Sequence, residues 1–488
     1  MRLSLARERQ HLSRSSVFEQ EIARLRQRRI AAVGLGISNM SVVEFLRSVG
    51  CDVVVLDRSS ADQLGKGKLA RLEALGVEYH LGDSYLEDLD KYDEIFISPG
   101  VSPHIPEIQQ AVRRGASING EINLFLRVCG SPVVGITGSA GKTTTASLVA
   151  SIINHSGRKC ILAGNIGAEI LSRLDSIDDD AVVVLELSSF QLQVVDSSPW
   201  IGAILNLAPN HLDHHKSLDE YYRAKENIIR FQTQEDYAVL NCDDPRTRSL
   251  AGEFGGMPRL YGLQPMDSDG AYLVGDDLVY RSGDTTELVC KRSDIPLLGE
   301  HNLSNCLAAI LMGRICGVCA ERIREAIRSF RGVEHRLELL CHWHGIAFYN
   351  DSIATSPDRT IAAIRAIDGP VVLIAGGYDK NLDYDELGRV IVREVRSLVL
   401  VGQASAKIRR SVEKAVQEHE SSNREVTLRS VHQASSFDEA VELAVSQAKA
   451  GDAVLLSPAC ASFDMFKSYK DRGDAFRRLV NKLTTELS

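Results

Sequence analysis

Residues 131–153, SPVVGITGSAGKTTTASLVASII, decide the fold class of the central part of the chain. The apolar run from Val133 to Ile136 predicts a buried strand, the small residues after it a loop, and the segment from Lys142 a helix. Backbone N–H groups in such a loop, with the positive end of the helix, suit a polyphosphate. A Gly-rich turn without a ligand is the alternative, but the strand context and the Gly-Lys-Thr-Thr sequence favour ATP or GTP binding.

The spacing of this loop differs from the usual phosphate-binding loop. That motif has Gly, four residues and then Gly-Lys-Ser/Thr, which would place its first Gly at Ile136. The glycines lie instead at 135, 138 and 141, and glycine is needed wherever a side chain would keep the backbone off the phosphates. Lys142 is expected to reach the β- and γ-phosphates, and the Thr143 hydroxyl to reach Mg²⁺.

Apolar strands alternate with helical segments on both sides of this loop. Such strands are RIAAVGLG (29–36), CDVVVLD (51–57), DEIFISPG (93–100), AVVVLELSSF (181–190), VVLIAGG (371–377), SLVLVG (397–402) and DAVLLSPAC (452–460). The alternation predicts parallel α/β sheets, with a small antiparallel excursion after Leu250. We predict a loosely held helical extension over 1–28 and three domains over 29–126, 127–334 and 335–488.

Composition limits the function classes. The chain has 488 residues, 44% hydrophobic and 25% charged, which is typical of a globular protein of about three domains. A formal net charge of -9 argues against nucleic acid as the main partner. No stretch approaches the roughly 20 apolar residues of a membrane span, and the first residues are too charged for a signal peptide. We therefore expect a cytoplasmic protein without membrane insertion.

Two polar positions follow apolar strands and are candidate metal ligands. Glu186 ends VVVLE, where a buried carboxylate is costly unless solvated, paired or metal-bound. It fits a ligand of Mg²⁺ or of water at the loop, and an exposed strand-end Glu is the alternative. In NHLDHH, His211 is nearest the strand end and is the better ligand candidate, whereas His214 and His215 are expected in solvent.

Two further features leave their roles open at the level of single residues. Lys225 lies in the helical segment YYRAKENII, where a surface charge is the ordinary interpretation. GLGISN (34–39) is similar to a dinucleotide loop, with Asp57 closing the next strand as a ribose-binding carboxylate would. Because Asn39 stands at the third Gly position, NAD binding is weakly indicated and another nucleotide stays open.

Several ordered motifs together resemble the Mur ligases, the ATP-dependent amide-forming enzymes of peptidoglycan precursor synthesis. The resemblance covers residue 29 to the end. It rests on GITGSAGKTTT, GNIG, LELSSFQL, NHLDHH, YYRAKENI, GEHNLSN, EHRLE, NDS, AGGYDK and LLSPACASFDMFKSYKDRG. It implies an α/β fold of three domains: a Rossmann-like UDP-binding domain, a central P-loop-type ATPase domain and a C-terminal Rossmann-like domain.

The resemblance also implies roles for individual residues. The ATP contacts are Gly138, Ser139, Ala140, Gly141, Lys142, Thr143, Thr144, Asn302, Asn305, Arg336 and Asp351. The Mg²⁺ ligands are Thr143, Glu186, His211 and Lys225, and Lys225 matches the lysine that is carbamylated in the family. The uridine nucleotide is held by Ile37, Ser38, Asp57, Ser98, Gly100 and Asn165. The incoming amino acid is held by Thr355, Lys380, Ser462, Phe463 and Tyr469.

The implied activity adds D-glutamate to UDP-N-acetylmuramoyl-L-alanine through an acyl phosphate, with Lys142, Glu186, His211 and Lys225 in catalysis and a monomer expected. The chain departs from the family pattern at Ile353, where a lysine is usual, at Arg58-Ser59 and at Tyr469. Alternatives are the same fold with L-glutamate or another amino acid, a folylpolyglutamate synthase-like enzyme, and a nucleotide-switch or motor protein. The last would have the usual loop spacing and leaves the C-terminal SPACASFDMF segment unexplained.

Overall fold

The computed structural model describes residues 14–165, 170–178, 180–208, 216–297, 299–367, 369–380, 382–421 and 426–486. The chain forms two compact units. The first runs to Ile295 and includes Glu300–Phe330; the second comprises Pro296–Gly299 and Arg331 onward. Across the described ranges, no helix is both long and apolar enough to cross a membrane. The predicted borders at 126 and 334 stay predictions.

The first sheet has five parallel strands in the order β3-β2-β1-β4-β5. They are β1 (Ile30–Val33), β2 (Val53–Asp57), β3 (Glu78–Leu81), β4 (Glu94–Ile97) and β5 (Ser117–Asn119). The helices are α1 (Arg14–Leu25), α2 (Ile37–Ser48), α3 (Ala61–Leu64), α4 (Lys66–Ala74), α5 (Pro106–Arg113) and α6 (Glu121–Val128). This order reverses direction between β1 and β4, so the loops after those strands form a crevice.

Helix α1 is packed against this sheet rather than loosely held as predicted. Ile22 and Leu25 are buried in the hydrophobic core. Arg24 forms an ion pair of 2.8 Å with Glu94, whose side chain is 0% exposed. Arg127 reaches the same carboxylate at 3.6 Å. The sequence pattern of α1 does not reveal this packing, because Glu94 lies 70 residues after its ion-pair partner Arg24 in the chain.

The second sheet has nine strands in the order β14-β13-β12-β11-β10-β9-β6-β8-β7. They are β6 (Val133–Thr137), β7 (Cys160–Gly164), β8 (Val182–Glu186), β9 (Ile201–Ile204), β10 (Tyr237–Asn241), β11 (Met257–Gly262), β12 (Gly270–Val274), β13 (Asp277–Ser282) and β14 (Thr285–Lys291). The helices are α7 (Lys142–His155), α8 (Ser189–Leu192), α9 (Leu218–Arg230), α10 (Pro245–Ser249), α11 (Glu300–Ile315) and α12 (Ala320–Ser329). The predicted antiparallel excursion is confirmed for β12–β14, whereas the strands from β7 to β12 pair in parallel.

The second unit contains a six-stranded sheet in the order β15-β16-β20-β17-β18-β19. Its strands are β15 (Glu338–Trp343), β16 (Ile346–Asn350), β17 (Val371–Ala375), β18 (Val395–Leu400), β19 (Ser430–Gln433) and β20 (Ala453–Leu456). The helices are α13 (Pro357–Arg365), α14 (Asp385–Glu394), α15 (Ser405–Ser421), α16 (Phe437–Gln447) and α17 (Tyr469–Glu486). The three predicted strands are present as β17, β18 and β20, and the α/β prediction is confirmed.

Candidate functional site

The predicted phosphate loop lies between β6 and α7. Gly141 is the N-cap of α7, with φ 81°, and Lys142 is the first helical residue. Asn206 holds the loop from the neighbouring strand end. Its side-chain oxygen accepts from the Ala140 N–H at 2.8 Å, and its backbone oxygen accepts from the Ser139 N–H at 3.0 Å. These two hydrogen bonds fix the backbone just before the N-terminus of α7, the end of a helix at which anions bind.

The three glycines of the motif have different physical reasons. A Cβ at Gly141 would lie 2.4 Å from Oδ1 of Asn305, and the positive φ adds strain. A Cβ at Gly138 would lie 3.0 Å from Cβ of Leu205. Gly135 is inside β6, where a Cβ would meet Pro199 at 2.7 Å. Gly135, which is not among the predicted ATP contacts, therefore permits close packing beneath the loop.

Two lysine ammonium groups converge on one backbone oxygen. Lys142 Nζ donates to the Gly138 oxygen at 2.8 Å, and Lys225 Nζ donates to the same oxygen at 2.9 Å. Lys225 is 2% exposed, so it is not the surface charge that its helix context indicated. Desolvation first, and the charge of Lys142 second, lower the pKa of Lys225 to about 7, although Glu186 opposes the shift. Its ammonium also lies over the Tyr221 ring, 4.8 Å from the centroid.

Glu186 ends β8 as a buried carboxylate beside the loop. Asn165 donates to its Oε1 at 3.0 Å. Its Oε2 is buried and has no hydrogen-bond partner among the described residues. A buried, unsatisfied carboxylate oxygen is costly unless a cation approaches it. The exposed strand-end alternative is therefore excluded, and the donor set fits a hard cation such as Mg²⁺.

His211 lies outside the described residues, within 209–215, so its predicted place beside Glu186 stays a prediction. In the part of the chain that is described, no group of three or more His, Cys, Asp or Glu side chains is arranged to hold a metal.

The remaining predicted ATP contacts of the first unit adjoin the loop. Thr143 and Thr144 are nearly buried in the first turn of α7. Asn305, on α11, lies against Gly141 and donates to Oδ1 of Asn302 at 3.1 Å. The structure thus brings these polar side chains to one edge of the sheet.

The GLGISN loop in the first sheet is held by residues of three elements. Asp57 accepts from the N–H groups of Leu35 at 2.5 Å and Ser59 at 2.7 Å. Ser98 donates to the Gly34 oxygen at 2.8 Å. Asn39, at the third Gly position, is buried and donates to the oxygens of Val33, Gly34 and Phe96. Asn39 therefore joins the ends of β1 and β4, a role that its place in the motif did not reveal.

A cleft in the first unit lies beside this loop. Its lining includes Ser38 and Ser98, which were predicted, and Gly120, Phe190, Gln191 and Val194, which were not. Ile37 and Gly100 lie nearby in the chain and are exposed. The cleft residues on α8 could not be inferred from spacing in the first sheet, because this helix follows β8, a strand of the second sheet.

In the second unit, Asp351 is a predicted ATP contact whose pKa is far from its usual value. Burial raises the pKa of Asp351 to about 7, although Ser457 and the Leu337 N–H donate to its oxygens at 2.8 and 3.0 Å and lower it. The nearby positive charge of Arg336 also lowers this pKa. Thr355 follows in the same turn, where its N–H donates to the Ile353 oxygen. A carboxyl tuned in this way is a functional candidate.

Arg472 is a residue that sequence reasoning missed. It is 1% exposed and donates to the hydroxyl and backbone oxygen of Ser352 and to the oxygens of Cys460 and Ala461. Burial lowers its pKa to about 10. Its guanidinium therefore ties the turn before Thr355 to the loop before Ser462.

The predicted amino-acid contacts lie around the carboxyl end of the sheet in this unit. Ser462 is buried, whereas Lys380 and Phe463 are exposed, Phe463 by 65%. The Phe463 ring meets Tyr378 edge to face at 6.2 Å. Tyr469 begins α17, and its ring meets His335 at 6.3 Å. His335, buried and with φ 62°, is a second residue that the sequence did not single out.

Comparison with known families gives three matches in chain order. Residues 28–120 match the model described as Mur ligase MurD-like, N-terminal domain. Residues 136–313 match the Mur ligase middle domain, and residues 335–460 match the Mur ligase, glutamate ligase domain.

Full-length relatives agree with these matches. A protein of Acetivibrio thermocellus named UDP-N-acetylmuramoylalanine--D-glutamate ligase is 41% identical over 460 residues, covering 94% of this chain and 97% of the relative. One of the same name from Symbiobacterium thermophilum is 42% identical, covering 94% and 99%.

Solved structures show the same fold at lower identity. The UDP-N-acetylmuramate-alanine ligase MurC of Thermotoga maritima is 20% identical with a TM-score of 0.53, covering 94% of this chain and 100% of that one. MurF of Acinetobacter baumannii is 16% identical with a TM-score of 0.54, covering 94% and 98%.

Proposed function

The chain belongs to the Mur ligase family, and from this premise we propose that it joins D-glutamate to UDP-N-acetylmuramoyl-L-alanine while ATP is converted to ADP and phosphate. The observation that carries the proposal is the loop Gly138–Lys142, with Lys225 and Glu186 buried against it. Relatives named for this activity match over 94% of the chain. We place the reaction in the cytoplasm and expect a monomer.

The proposed reaction has two steps. The L-alanyl carboxylate attacks the γ-phosphorus of ATP, and the bond from this phosphorus to the bridging oxygen breaks. The products are an acyl phosphate and ADP, which departs. The amine of D-glutamate then attacks the acyl carbon, phosphate leaves, and the amine loses a proton to give the amide. The first step brings two anions together, so positive charge at the loop is its main requirement.

Lys142 and the N–H groups of α7 supply that charge from this chain. The Lys142 ammonium is already held at the Gly138 oxygen, 2.8 Å away, so it is close to where a phosphate would lie. Preorganised donors of this kind stabilise developing phosphoryl charge without reorganisation during the reaction. In the first unit, Ser139, Ala140, Thr144, Asn302 and Asn305 are the further ATP contacts that we propose.

We assign the Mg²⁺ ligands to Thr143, Glu186, His211 and carbamylated Lys225. The buried, unpartnered Oε2 of Glu186 supports this assignment, because a cation would satisfy it. When bound, the ion would neutralise phosphate charge.

Lys225 is suited to carbamylation because it is buried with a pKa of about 7. The neutral amine attacks carbon dioxide, a C–N bond forms, and one proton leaves as the carbamate appears. About half of the amine is neutral near pH 7 at such a pKa. The modification replaces a cation by an anion. Lys225 would then coordinate a metal ion instead of repelling it.

The remaining substrate groups are assigned by unit. Ile37, Ser38, Asp57, Ser98, Gly100 and Asn165 are proposed for the uridine nucleotide. In the second unit, Arg336 and Asp351 are proposed for ATP, and Thr355, Lys380, Ser462, Phe463 and Tyr469 for the amino acid. Lys380 supplies the positive charge that an acidic amino acid needs.

The proposal is tested by ADP release with UDP-N-acetylmuramoyl-L-alanine, ATP and Mg²⁺ against D-glutamate, L-glutamate, meso-diaminopimelate and lysine. We expect ADP and amide in equal amounts with D-glutamate alone. No release with either glutamate would refute the proposal. A preference for L-glutamate would refute only its stereochemical part, to which Ile353 draws attention because it stands in place of the usual lysine.

A further inference from the structure

Three strands of the second unit end side by side, and two of them lead into the proposed amino-acid site. Strand β17 pairs in parallel with β20 on one side and with β18 on the other. The loop after β20 carries Ser462, and the loop after β17 carries Lys380. The turn after β18, residues 401–404, carries none of the proposed substrate contacts.

This turn holds both of the other loops. The Ala404 N–H donates to the Gly377 oxygen at 2.9 Å, and the Gln403 N–H donates to Oδ2 of Asp464 at 3.1 Å. At Gly402, with φ 82°, a Cβ would lie 2.4 Å from the same Asp464 oxygen. A Cβ here would also lie 2.9 Å from Cα of Gly377, so the turn is packed closely against both loops and acts as a brace.

A side chain on α15 extends the brace to the residue next to Lys380. Lys407 Nζ lies 2.6 Å from Oδ2 of Asp379, and these side chains are only 31% and 25% exposed. The loop that contains Asp379 also includes Gly376 and Gly377, both with positive φ. A Cβ at Gly376 or Gly377 would lie 2.0 Å from the Val401 oxygen or 2.3 Å from the Ala461 oxygen, so both glycines permit close packing of this backbone. The ion pair at Asp379 extends the held segment to the residue before Lys380 and restricts where Lys380 can lie.

We propose that Lys407 is a positioning residue that, through Asp379, fixes the Lys380 loop for capture of the acidic amino acid; this rests on the proposed function. Lys380 is exposed, so without the ion pair the cost of ordering its loop would fall on amino-acid binding. None of the residues proposed for phosphoryl transfer lies on this loop. The competing interpretation is a surface ion pair, which contributes little to stability or function.

The test compares two lysines of the same helix. Lys407→Met removes the ion pair with Asp379, whereas Lys414→Met removes an ion pair with Asp385, the first residue of α14. With Lys407→Met we expect the KM for D-glutamate to rise about three- to tenfold, with kcat, the other two KM values and the melting temperature nearly unchanged. Lys414→Met should behave as wild type, and Lys407→Arg should restore most of the loss.

A double-mutant cycle sharpens the test. Asp379→Asn should raise the same KM, and the combination with Lys407→Met should be no worse than either change alone. The inference is overturned if Lys407→Met matches Lys414→Met, or if all KM values and the melting temperature change together. Wild-type turnover with D-glutamate is measured first: activity there with no effect of Lys407→Met overturns only the inference, whereas inactivity overturns the proposed function and the inference with it.

Discussion

Replacement of Lys225 by methionine should change how the stability of the first unit depends on pH. Lys225 is buried at the phosphate loop, and desolvation, with a smaller contribution from Lys142, lowers its pKa from 10.5 to about 7. Methionine has a similar length and no proton to lose. The variant therefore removes one titration and leaves the packing around Tyr221 largely in place.

The sign and the magnitude follow from proton counting. The unfolded chain keeps the proton up to pH 10.5, and the folded chain releases it near pH 7. Between these values the unfolded state binds more protons, so wild-type stability rises with pH across this window and is lowest below it. One pKa unit corresponds to about 1.4 kcal/mol, so the wild type should gain about 2 kcal/mol between pH 7 and pH 9 relative to the variant.

The chain's two tryptophans make the measurement specific to one unit. Trp200 lies in the first unit, beside Tyr237, and Trp343 lies in the second. In a Trp343→Phe background, urea unfolding is followed by Trp200 fluorescence in buffers free of carbon dioxide, which prevents carbamylation. From pH 7 to pH 9, the free energy of unfolding of the wild type should rise by about 2 kcal/mol relative to that of Lys225→Met. Parallel pH dependences would refute the reasoning.

Three further changes test other parts of the first unit. Lys142→Ala should abolish ADP formation while the circular dichroism spectrum stays native; near-normal turnover would contradict the phosphate-loop assignment. Gly141→Ala places a Cβ 2.4 Å from a side-chain oxygen at φ 81°, so it should lower the free energy of unfolding in urea by about 1–2 kcal/mol and raise the KM for ATP. An unchanged KM for ATP would contradict the phosphate-loop assignment. Arg24→Met leaves the buried Glu94 with Arg127 as its remaining guanidinium and should cost about 3 kcal/mol, near the lower end for a broken buried pair; a loss within error would show that this ion pair does not hold α1 in place.

The parts of the fold that the sequence predicted are those with local signals. The loop between β6 and α7 has its strand, glycines and helix start within one stretch, so pattern and structure agree there. Strands β17 and β20 are fully buried apolar runs that are visible by eye. Strand β19 was missed because its residues SVHQ are short, polar and half-exposed, so they show neither a buried run nor a clean alternation.

Motifs named the predicted site residues, whereas the residues that the sequence did not single out are defined by tertiary contacts. Nothing in the helix pattern around Lys225 distinguishes it from a surface lysine; its burial depends on the loop 88 residues earlier in the chain. Asn39 and Arg472 bind several backbone oxygens each, and those oxygens carry no signal in the sequence. The need for glycine at position 135 is also tertiary, because a Cβ there would lie 2.7 Å from Pro199.

The backbone oxygen of Gly138 accepts hydrogen bonds from both Lys142 and Lys225, so a phosphate at this loop would lie close to both amines. This proximity affects whether Lys225 is carbamylated before or after the nucleotide binds. A polyphosphate at the loop favours the protonated form of both amines, since opposite charges attract. Carbon dioxide reacts only with a neutral amine, so Lys225 is most reactive before the nucleotide arrives. If Lys225 is carbamylated as proposed, the carbamate is best made before the nucleotide binds, and the measured activity would then depend on earlier exposure of the protein to bicarbonate.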